Sequence, residues 1–488
     1  MAPDLVTAVP DAWRLRDPDR ARRNLAALAE HLGPDDLRTL LALLGRLLPR
    51  NPDPDMALNN LERVLASPAG REHLPHLTDG RSRTLDTLLG LLGTSQFLAD
   101  VLANDPAALD ALRGPWRRTP TFAELHAQLA TEVAAAADDT GVLRAFRRFR
   151  QRQTVRIGAN DIVRDRPLDD IARDLSRVAE VAIEVALATA LHRLSDRFGV
   201  PTSGDHTPAR VVVLAFGKLG GEELNYSSDI DLMFVYDHDG ATNGRRSVSN
   251  DEFYTRAVGE VVRLLSARTA HGQAYRVDLR LRPEGQRGPI ARTLGSTLSY
   301  YDAMGRTWER QALIKARPVA GDFNLGTEFV QAVEPFVYRK YFSFSEINEI
   351  KAMKRKLERK AAAAGVDESE VKTGRGGIRD IEFTVQFLQL LNGGDSPEVR
   401  QRNTLAAVQA LTAAGCLTDQ EAAILDDTYR FLRKTEHRLQ LLFDLQTHRL
   451  PDGTDALRQL ARRMGYADRG SWTMDRESSF DPRSTIHD

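Results

Sequence analysis

The sequence contains a single cysteine, Cys416, in 488 residues. One thiol cannot form an intrachain disulfide, and it cannot supply a metal site built from several cysteines. Cys416 lies in an apolar, alanine-rich stretch between Leu411 and Leu417. A small packed side chain is the expected role there, and a nucleophile is the alternative. The scarcity of cysteine therefore excludes disulfide-stabilised folds and cysteine-rich zinc folds.

The chain also lacks a charge excess and long apolar runs. Its 67 lysines and arginines are matched by 68 aspartates and glutamates, which gives a formal net charge of −1. A dedicated polynucleotide-binding protein usually carries a basic excess, so no nucleic-acid partner is expected. No stretch approaches the roughly 18 uninterrupted apolar residues of a membrane span, and the start lacks the basic and apolar segments of a signal peptide. The sequence therefore predicts a soluble cytoplasmic protein with no membrane partner.

Most of the sequence has the spacing of amphipathic helices. Apolar residues recur at intervals of three and four residues through 19–198 and again after residue 321. The predicted helices are 21–32, 35–48, 55–66, 84–92, 95–104, 140–163, 169–198, 252–270, 294–317, 327–341, 344–364, 404–414, 419–443 and 455–464. Because 488 residues exceed the size at which one hydrophobic core stops growing, we expect several domains.

The segment 210–237 departs from this helical pattern. Two apolar runs, 211–216 and 230–236, are short and rich in β-branched residues, which predicts two buried strands. Between them, Gly217, Gly220 and Gly221 permit close approach of the backbone and positive φ angles. The N–H groups of such a turn can hold an anion, so we expect these glycines to bind phosphate.

The second of these strands carries Asp229 and Asp231, two residues apart. Side chains at i and i+2 share one face of a strand, so both carboxylates should point the same way. Like charges at close range call for a cation, and Mg²⁺ prefers such oxygen ligands. Ser227 and Ser228, directly before them, are candidate phosphate donors. The alternative is an ordinary polar strand edge, but the glycine turn and the flanking strands favour a metal site.

A third carboxylate is expected from Asp278. Apolar and polar residues alternate from 275 to 280, which is typical of a half-buried strand. If this strand lies beside the first two, Asp278 joins Asp229 and Asp231, while Arg280 and Arg282 provide positive charge for phosphate oxygens. A salt bridge between Asp278 and the neighbouring arginines is the alternative. Metal ligands and catalytic carboxylates are thus predicted at 229, 231 and 278.

Gly217 followed by Asp229, Asp231 and later Asp278 resembles the nucleotidyltransferase fold of the DNA polymerase β superfamily. More specifically, four stretches resemble the enzymes that adenylylate and deadenylylate glutamine synthetase: GKLGGEELNYSSDIDLMFVY, RVDLRLRPEGQRGPIA, GRTWERQALIKARPVAGD and KTGRGGIRDIEF. The resemblance extends from about residue 53 to residue 465. It implies a predominantly helical α+β protein, in which a small mixed β-sheet core is flanked by helical bundles at both ends.

The resemblance also gives the domain organisation and the reactants. We expect an N-terminal helical region at 1–200, a nucleotidyltransferase core at 201–320, a C-terminal helical bundle at 321–465 and a disordered tail at 466–488. Mg²⁺, as two ions, would be the cofactor, with ATP, ADP and phosphate as substrates or products. A second catalytic half usually follows the first in this family, so this chain is expected to be a fragment or a truncated product.

Two further regions contain candidate phosphate ligands. Lys315 and Arg317 lie near the end of the predicted helix 294–317, where they either reach phosphate oxygens or are solvated. Gly376 and Gly377 precede another predicted helix, whose N-terminal N–H groups and partial positive charge suit an anion. Lys372 and Arg375 would assist there, and Asp380 and Glu382 are further candidate metal ligands. An ordinary turn is the alternative.

By resemblance, the protein partner is glutamine synthetase carrying AMP on a tyrosine, and a PII-type signal protein is a second candidate. The motif version GGEELNYSSDIDL is similar to that of the half that removes AMP by phosphorolysis. Removal is therefore preferred, and addition of AMP from ATP is the alternative. A nucleotidyltransferase for another acceptor and a non-catalytic regulatory module are the remaining hypotheses.

Overall fold

The computed structural model describes residues 10–77, 83–113, 117–270, 272–340 and 369–466, together with positions 348, 352 and 355. The predicted helix 344–364 and the predicted tail fall almost entirely outside the described residues. The helices before the sheet are α1 (Pro18–Ala29), α2 (Pro34–Leu47), α3 (Pro54–Leu65), α4 (Pro68–Arg71), α5 (Leu74–Leu77), α6 (Arg83–Thr94), α7 (Gln96–Asn104), α8 (Asp110–Arg113), α9 (Phe122–Ala134), α10 (Asp139–Ile162) and α11 (Leu168–Phe198).

Short polar side chains fix where several of these helices begin. Asp17, Asp53, Ser95 and Asp138 each accept a hydrogen bond from a backbone N–H in the first turn of the helix that follows. Such caps satisfy N–H groups that have no partner inside the helix. The seven helices predicted from apolar spacing in this region are confirmed, with ends shifted by a few residues, while α9 and the one-turn helices α4, α5 and α8 were not predicted.

The remaining elements form and surround a mixed sheet. They are β1 (Pro201–Ser203), β2 (Val211–Phe216), α12 (Gly217–Gly220), β3 (Ile230–Tyr236), β4 (Gly240–Thr242), α13 (Asn250–Ser266), β5 (Val277–Asp278), β6 (Ala291–Thr293), α14 (Leu294–Met304), α15 (Thr307–Leu313), β7 (Arg317–Gly321), α16 (Phe323–Val337), α17 (Ile378–Asn392), α18 (Thr404–Ala413), α19 (Asp419–Phe443) and α20 (Thr454–Arg463). The predicted fold class, predominantly helical α+β with a small mixed sheet, is confirmed.

The main sheet has the strand order β5-β3-β2-β7, and β6 also pairs with β3. Strand β2 is antiparallel to both β3 and β7, whereas β5 and β6 run parallel to β3. Strand β5 pairs with the beginning of β3, and β6 pairs with its end. Strands β1 and β4 form a separate two-stranded antiparallel ribbon.

Both faces of the sheet are buried, which explains why β2 and β3 read as continuous apolar runs. Val211, Val213 and Ala215 of β2 belong to a core shared with the helices that precede the sheet. Val212 and Leu214 point to the other face, into a core shared with α14, α16 and α17. Because side chains alternate along a strand, Asp231 shares the second face with the neighbouring β3 residues Met233 and Val235.

The prediction of one helix over 294–317 is wrong. The segment contains two helices, α14 and α15, and then strand β7. Gly305 ends α14 in an extended conformation, and a Cβ there would clash with the Phe336 ring. Arg317 precedes Pro318, and a residue before proline avoids helical angles. Arg317 instead pairs with Ala215 at the edge of the sheet.

Helix α19 is fixed to the rest of the protein by buried polar groups. The Arg438 guanidinium donates to both carboxylate oxygens of Asp161 on α10, over 2.7 and 2.9 Å. Arg433 donates to the backbone oxygen of Glu223 over 2.6 Å and to the side chain of Asn225 over 2.5 Å. These contacts connect the chain after residue 369 to the loop that precedes β3, and α19 therefore helps to position that loop.

In the described part of the chain, no single helix is long and apolar enough to cross a membrane. Helices α6 and α7 together have the length and apolar composition of a membrane span, but a bend of 120° separates them.

Replacing Arg438 with methionine should destabilise the protein, because Asp161 would keep a buried charge without its partner. Both side chains are less than 10% exposed. We expect a loss of about 3–5 kcal/mol in the free energy of unfolding, measured by urea denaturation and circular dichroism. The matched control is Arg458→Met, whose pair with Asp455 is exposed and should contribute less than about 1 kcal/mol. Equal losses in both variants would contradict a structural role for the buried pair.

Candidate active site

The pairing of β3 with β5 brings two of the predicted carboxylates together. Ile230 is opposite Val277 in the parallel register, and Asp231 is opposite Asp278. Directly opposed residues on neighbouring strands have their side chains on the same face of the sheet. The prediction that Asp278 joins the strand carrying Asp231 is therefore confirmed by the strand register.

Asp231 is the carboxylate whose charge is least compensated. Burial and the nearby carboxylates of Asp278 and Asp229 raise its pKa to about 7. Within the described residues, no hydrogen-bond donor contacts this carboxylate. A group with these properties is partly protonated near neutral pH and would gain from a nearby cation.

Arg280 compensates the charge of Asp278. Burial of Asp278 would raise its pKa, but hydrogen bonds from the Arg280 side chain and backbone N–H outweigh this effect and lower the pKa. The Arg280 Nε atom lies 2.8 Å from one carboxylate oxygen and 3.0 Å from the other. The Arg280 side chain is 66% exposed, so it adds positive charge at the open side of the site. Arg280 therefore lies beside Asp278, and it forms the salt bridge that was the alternative role of Asp278.

Asp229 precedes β3 and is held by a different arginine. The Nε atom of Arg276 lies 2.5 Å from Asp229 Oδ1. Gln446, from the chain after α19, donates to Asp229 Oδ2 over 3.5 Å. The three predicted carboxylates thus lie in one region, but the carboxylate of Asp229 is bound to protein cations and amides.

Gly217 allows the backbone to approach Asp231. Its φ angle is +54°, and a Cβ at this position would lie 2.5 Å from Asp231 Oδ2. The first residue of α12 must therefore be glycine for the carboxylate to remain where it is. A Cβ on Gly220 would overlap the carbonyl oxygen of Lys315, at 2.0 Å, whereas a Cβ on Gly221 would lie 3.0 Å from the carbonyl oxygen of Arg402. The latter two glycines serve packing against neighbouring backbone in this structure.

Two lysines place positive charge around the same region. The Nζ atom of Lys218, inside α12, lies 3.0 and 2.9 Å from the carboxylate oxygens of the fully buried Glu436 on α19. Burial lowers the pKa of Lys218 to about 8, although Glu436 acts in the opposite direction. Lys372 is close enough to oppose the increase in the pKa of Asp231. His448 Nδ1 lies 2.8 Å from the same Glu436 and completes this buried group.

Several predicted phosphate ligands are engaged elsewhere. Lys315 is buried, and its Nζ atom lies 2.5 Å from Glu223. Arg317 pairs with Glu180 and donates to the carbonyl groups of Leu219 and Gly220. Neither cation is brought to the carboxylates, because each compensates a buried carboxylate of its own.

Two predicted phosphate ligands in the loops next to the sheet, Arg282 and Ser227, also have partners within the protein. Arg282 is buried, and its guanidinium donates to the backbone oxygens of Leu279, Gly288 and Pro289. The Ser227 hydroxyl donates to the backbone oxygen of Asp444 over 3.1 Å. Ser228 lines a cavity beside Arg276.

The glycine turn before α17 uses its own N–H groups. The N–H of Gly376 donates to Asp380 over 2.9 Å, and the N–H of Gly377 donates to the carbonyl group of Gly374 over 3.0 Å. Glu382 accepts a hydrogen bond from the Tyr429 hydroxyl. Of the predicted residues in this stretch, Lys372 is close enough for its charge to lower the pKa of Asp231.

Among the described residues, no group of three or more His, Cys, Asp or Glu side chains is arranged to hold a metal ion. Asp231 and Asp278 face each other, while Asp229 is paired with Arg276. Completing a three-carboxylate site would require Asp229 to leave that arginine.

Sequence reasoning did not identify the roles of Lys218, Arg276 and Glu436. A signal for Glu436 was present, because residues 433–440 contain four charged residues and a histidine and continue an otherwise amphipathic helix. So many polar groups in succession cannot all face solvent on a helix with a buried side. Several of their partners, among them Lys218, Glu223 and Asp161, lie more than 200 residues away in sequence, which is why these contacts were not predicted.

Comparison with known families identifies the chain. Residues 85–332, just over half of it, match the family model described as glutamate-ammonia ligase adenylyltransferase. The chain belongs to this family. Residues 348–480 match a second model, described as GlnD PII-uridylyltransferase. The four motifs that suggested the resemblance all lie within these two matched ranges. The two ranges together also contain the predicted site of this family member.

Several similar proteins carry the name bifunctional glutamine synthetase adenylyltransferase/adenylyl-removing enzyme. The protein of Hahella chejuensis is 40% identical over 382 residues, which cover 78% of this chain and 40% of the relative. The protein of Nitrosococcus oceani is 38% identical over 80% of this chain and 40% of the relative, and that of Pseudomonas aeruginosa is 38% identical over 89% and 44%. This family member spans about two fifths of the length of these curated relatives.

The raised pKa of Asp231 predicts a pH-dependent effect on stability. In the folded chain Asp231 keeps its proton up to about pH 7, whereas the ordinary value is 3.8. Its contribution to stability is therefore complete below the ordinary pKa and is lost as the pH rises through about 7. Asp231→Asn does not titrate, so its stability relative to the wild type should increase by about 2–3 kcal/mol between pH 5 and pH 8.

The measurement is urea denaturation of both proteins at several pH values in metal-free buffer. Parallel stability curves for wild type and Asp231→Asn would show that Asp231 has an ordinary pKa. In that case neither the burial of Asp231 nor its repulsion by Asp278 and Asp229 would raise its pKa.

Proposed function

We propose that this chain is a metal-dependent nucleotidyltransferase that acts on the adenylylated tyrosine of glutamine synthetase. The observation that carries the proposal is the register pairing of Asp231 with Asp278 beside Gly217, in a chain that belongs to this family. The substrate comes from the names of the relatives. The preferred reaction is removal of AMP by phosphorolysis.

The residues at the site fit Mg²⁺. The donors are carboxylate oxygens, which Mg²⁺ prefers, and Asp231 has a raised pKa and no hydrogen-bond donor among the described residues. Asp231 and Asp278 would hold the ion, and Asp229 would join them after leaving Arg276. We propose two ions, as the predicted set of three carboxylates suggests. An ion held by these carboxylates would supply positive charge to neutralise phosphate oxygens during displacement at phosphorus.

The protein's own groups would position the reactants. Arg280 is exposed beside Asp278, and its outward guanidinium can contact a phosphate oxygen. Lys372 adds a second positive charge near Asp231. Gly217 keeps the space next to the Asp231 carboxylate free of a side chain. Positioning and electrostatics supply most of the catalysis in phosphoryl and nucleotidyl transfer.

In the proposed reaction, an oxygen of inorganic phosphate forms a bond to the phosphorus of the adenylyl group. The bond between that phosphorus and the tyrosine oxygen breaks, and the proton of the phosphate passes to the tyrosine. The products are ADP and the unmodified tyrosine. The phenol has a reference pKa of about 10, which makes its anion a reasonable leaving group.

Addition of AMP from ATP is the alternative, because it uses the same ion and the same geometry at phosphorus. The resemblance of GGEELNYSSDIDL to the removing version of the motif supports removal. The match of residues 348–480 to a model described as a PII-uridylyltransferase supports a PII-type signal protein as a regulatory partner. A different acceptor or a non-catalytic binding role remain as further alternatives.

Asp231→Asn and Asp278→Asn should each lower the rate of ADP formation by on the order of 100-fold or more, because each removes charge that would hold the ion. The assay uses the purified chain, adenylylated glutamine synthetase, phosphate and Mg²⁺. The control is Asp251→Asn, an exposed carboxylate on α13. Normal turnover in Asp231→Asn would refute the metal assignment.

The direction is tested by offering both sets of substrates to the wild-type chain. We expect ADP from adenylylated glutamine synthetase and phosphate, with little incorporation of AMP from labelled ATP into unmodified glutamine synthetase. Incorporation without phosphorolysis would reverse the assignment. Absence of both reactions, with labelled AMP transferred to another acceptor, would favour the nucleotidyltransferase with a different substrate.

A further inference from the structure

A cavity of about 340 Å³ lies next to the carboxylates, on the side of Arg276. We call it the Arg268 cavity. Its polar lining includes Arg150, Arg268, Arg276, Ser227, Ser228 and Asp444. The volume is at the lower end of the range of roughly 300–1,000 Å³ that is usual for small-molecule sites. The lining has three arginines and one carboxylate, so it is positively charged within a chain whose net charge is −1.

Arg150, the first of the three arginines, has a structural role in the wall of the cavity. Arg150 donates to the backbone oxygen of Tyr226 over 2.8 Å, lies 3.3 Å from Asp444 and stacks over the Tyr275 ring at 5.4 Å. Its side chain is only 12% exposed. Because Asp444 is its partner, the negative charge in the lining is already paired.

Arg268 differs from Arg150 in its exposure and in its lack of protein contacts among the described residues. It follows α13, it is exposed, and the described residues give it neither a hydrogen bond nor an ion pair. An arginine with five unused N–H donors at the rim of a cavity suits an anion, and its planar group can hold two oxygens of a phosphate at once.

Arg276 belongs to both the cavity and the carboxylate group. It holds Asp229 Oδ1 through Nε over 2.5 Å, and Nη2 donates to the backbone oxygen of Ser227 over 2.5 Å. Its side chain is 35% exposed and that of Asp229 is 34% exposed, so both have room to change partner. An anion in the cavity would therefore compete with Asp229 for the guanidinium.

We propose that the Arg268 cavity binds a phosphate group, and that its binding transfers Arg276 from Asp229 to the phosphate. Asp229 is thereby released to join Asp231 and Asp278 as a ligand of the metal ion. The phosphate belongs either to inorganic phosphate or to the adenylyl group. This inference rests on the proposed function for its reactants, but the exchange of ion pairs is a property of the binding site alone.

The exchange has a thermodynamic consequence. Phosphate and the metal ion should each strengthen the binding of the other, because binding free energies are reciprocally linked. Asp229 is paired with Arg276, and the described residues contain no group of three carboxylates arranged to hold a metal ion. The metal set is completed when phosphate takes Asp229's place on the guanidinium.

The test measures binding of Mn²⁺ to the full chain by the loss of the free-ion paramagnetic resonance signal. Titrations are run without added anion, with inorganic phosphate and with AMP, at constant pH and ionic strength because salt screens these interactions. In the wild type, we expect inorganic phosphate or AMP to tighten Mn²⁺ binding about fivefold or more. Tightening by one anion alone identifies the source of the phosphate group, and tightening by neither overturns the proposal.

Two arginine variants test the exchange of ion pairs directly. Arg268→Gln should weaken phosphate binding, measured by calorimetry, by about tenfold, while Mn²⁺ binding without phosphate stays unchanged. Arg276→Gln should bind Mn²⁺ more tightly than the wild type without phosphate, and phosphate should then have little further effect. If phosphate acted only by ligating the ion, the coupling would persist in Arg276→Gln.

Arg246→Gln is the matched control, because Arg246 is exposed and lies outside the cavity lining. It should behave as the wild type in every titration. Wild-type phosphate affinity in Arg268→Gln would exclude the cavity as the site. These titrations need no turnover, so the cavity can be established even if glutamine synthetase proves not to be the substrate.

Discussion

The repulsion between Asp231 and Asp278 is the constraint that organises the site. The parallel register of β3 and β5 sets these carboxylates opposite each other, and the buried face of the sheet limits how far water can screen them. The negative charge of each of the three acidic residues is accommodated in a different way. Asp278 is compensated by Arg280 and Asp229 by Arg276, while Asp231 has a raised pKa and no donor within the described residues. A site with one uncompensated carboxylate between two compensated ones is arranged to receive a cation.

The position of that carboxylate depends on contacts far from it in sequence. Gly217 lies against Asp231, and the adjacent Lys218 is tied to Glu436 on α19. The same helix holds the loop before β3 through Arg433 and Asn225. Burying charged groups costs free energy unless they are paired and hydrogen-bonded, and here the pairing makes the orientation of α19 specific. The buried network thus fixes the two loops that frame the carboxylates.

The sequence contained enough information to predict β2, β3, the strand that carries Asp278 and most helices, but not β1, β4, β6 or β7. Apolar periodicity determines these features locally. Few positions in the sheet other than the one beside β3 were open to a strand carrying Asp278. The partners of cations were not predictable in this way. Lys315 pairs with Glu223 and Arg317 with Glu180, each contact joining segments about 90 or more residues apart. Local composition shows that a cation is present but does not show which carboxylate is nearest, so the partners of the candidate phosphate ligands could not be predicted.

The site also joins the two regions that match different family models. Asp229, Asp231 and Asp278 lie within 85–332, whereas Lys372, Glu436 and Gln446 lie within 348–480. Gln446 contacts Asp229, and Lys372 acts on the charge of Asp231. The second region therefore contributes side chains to the carboxylate group, and it cannot be an independent module that merely follows a catalytic core. Lys372 acts on Asp231 through its charge, and Gln446, which follows α19, contacts Asp229, so a change in the position of the second region would change the charges around these carboxylates. Regulation at this site would then act on the charge balance around Asp231 and Asp229, which is the quantity that decides whether a cation binds.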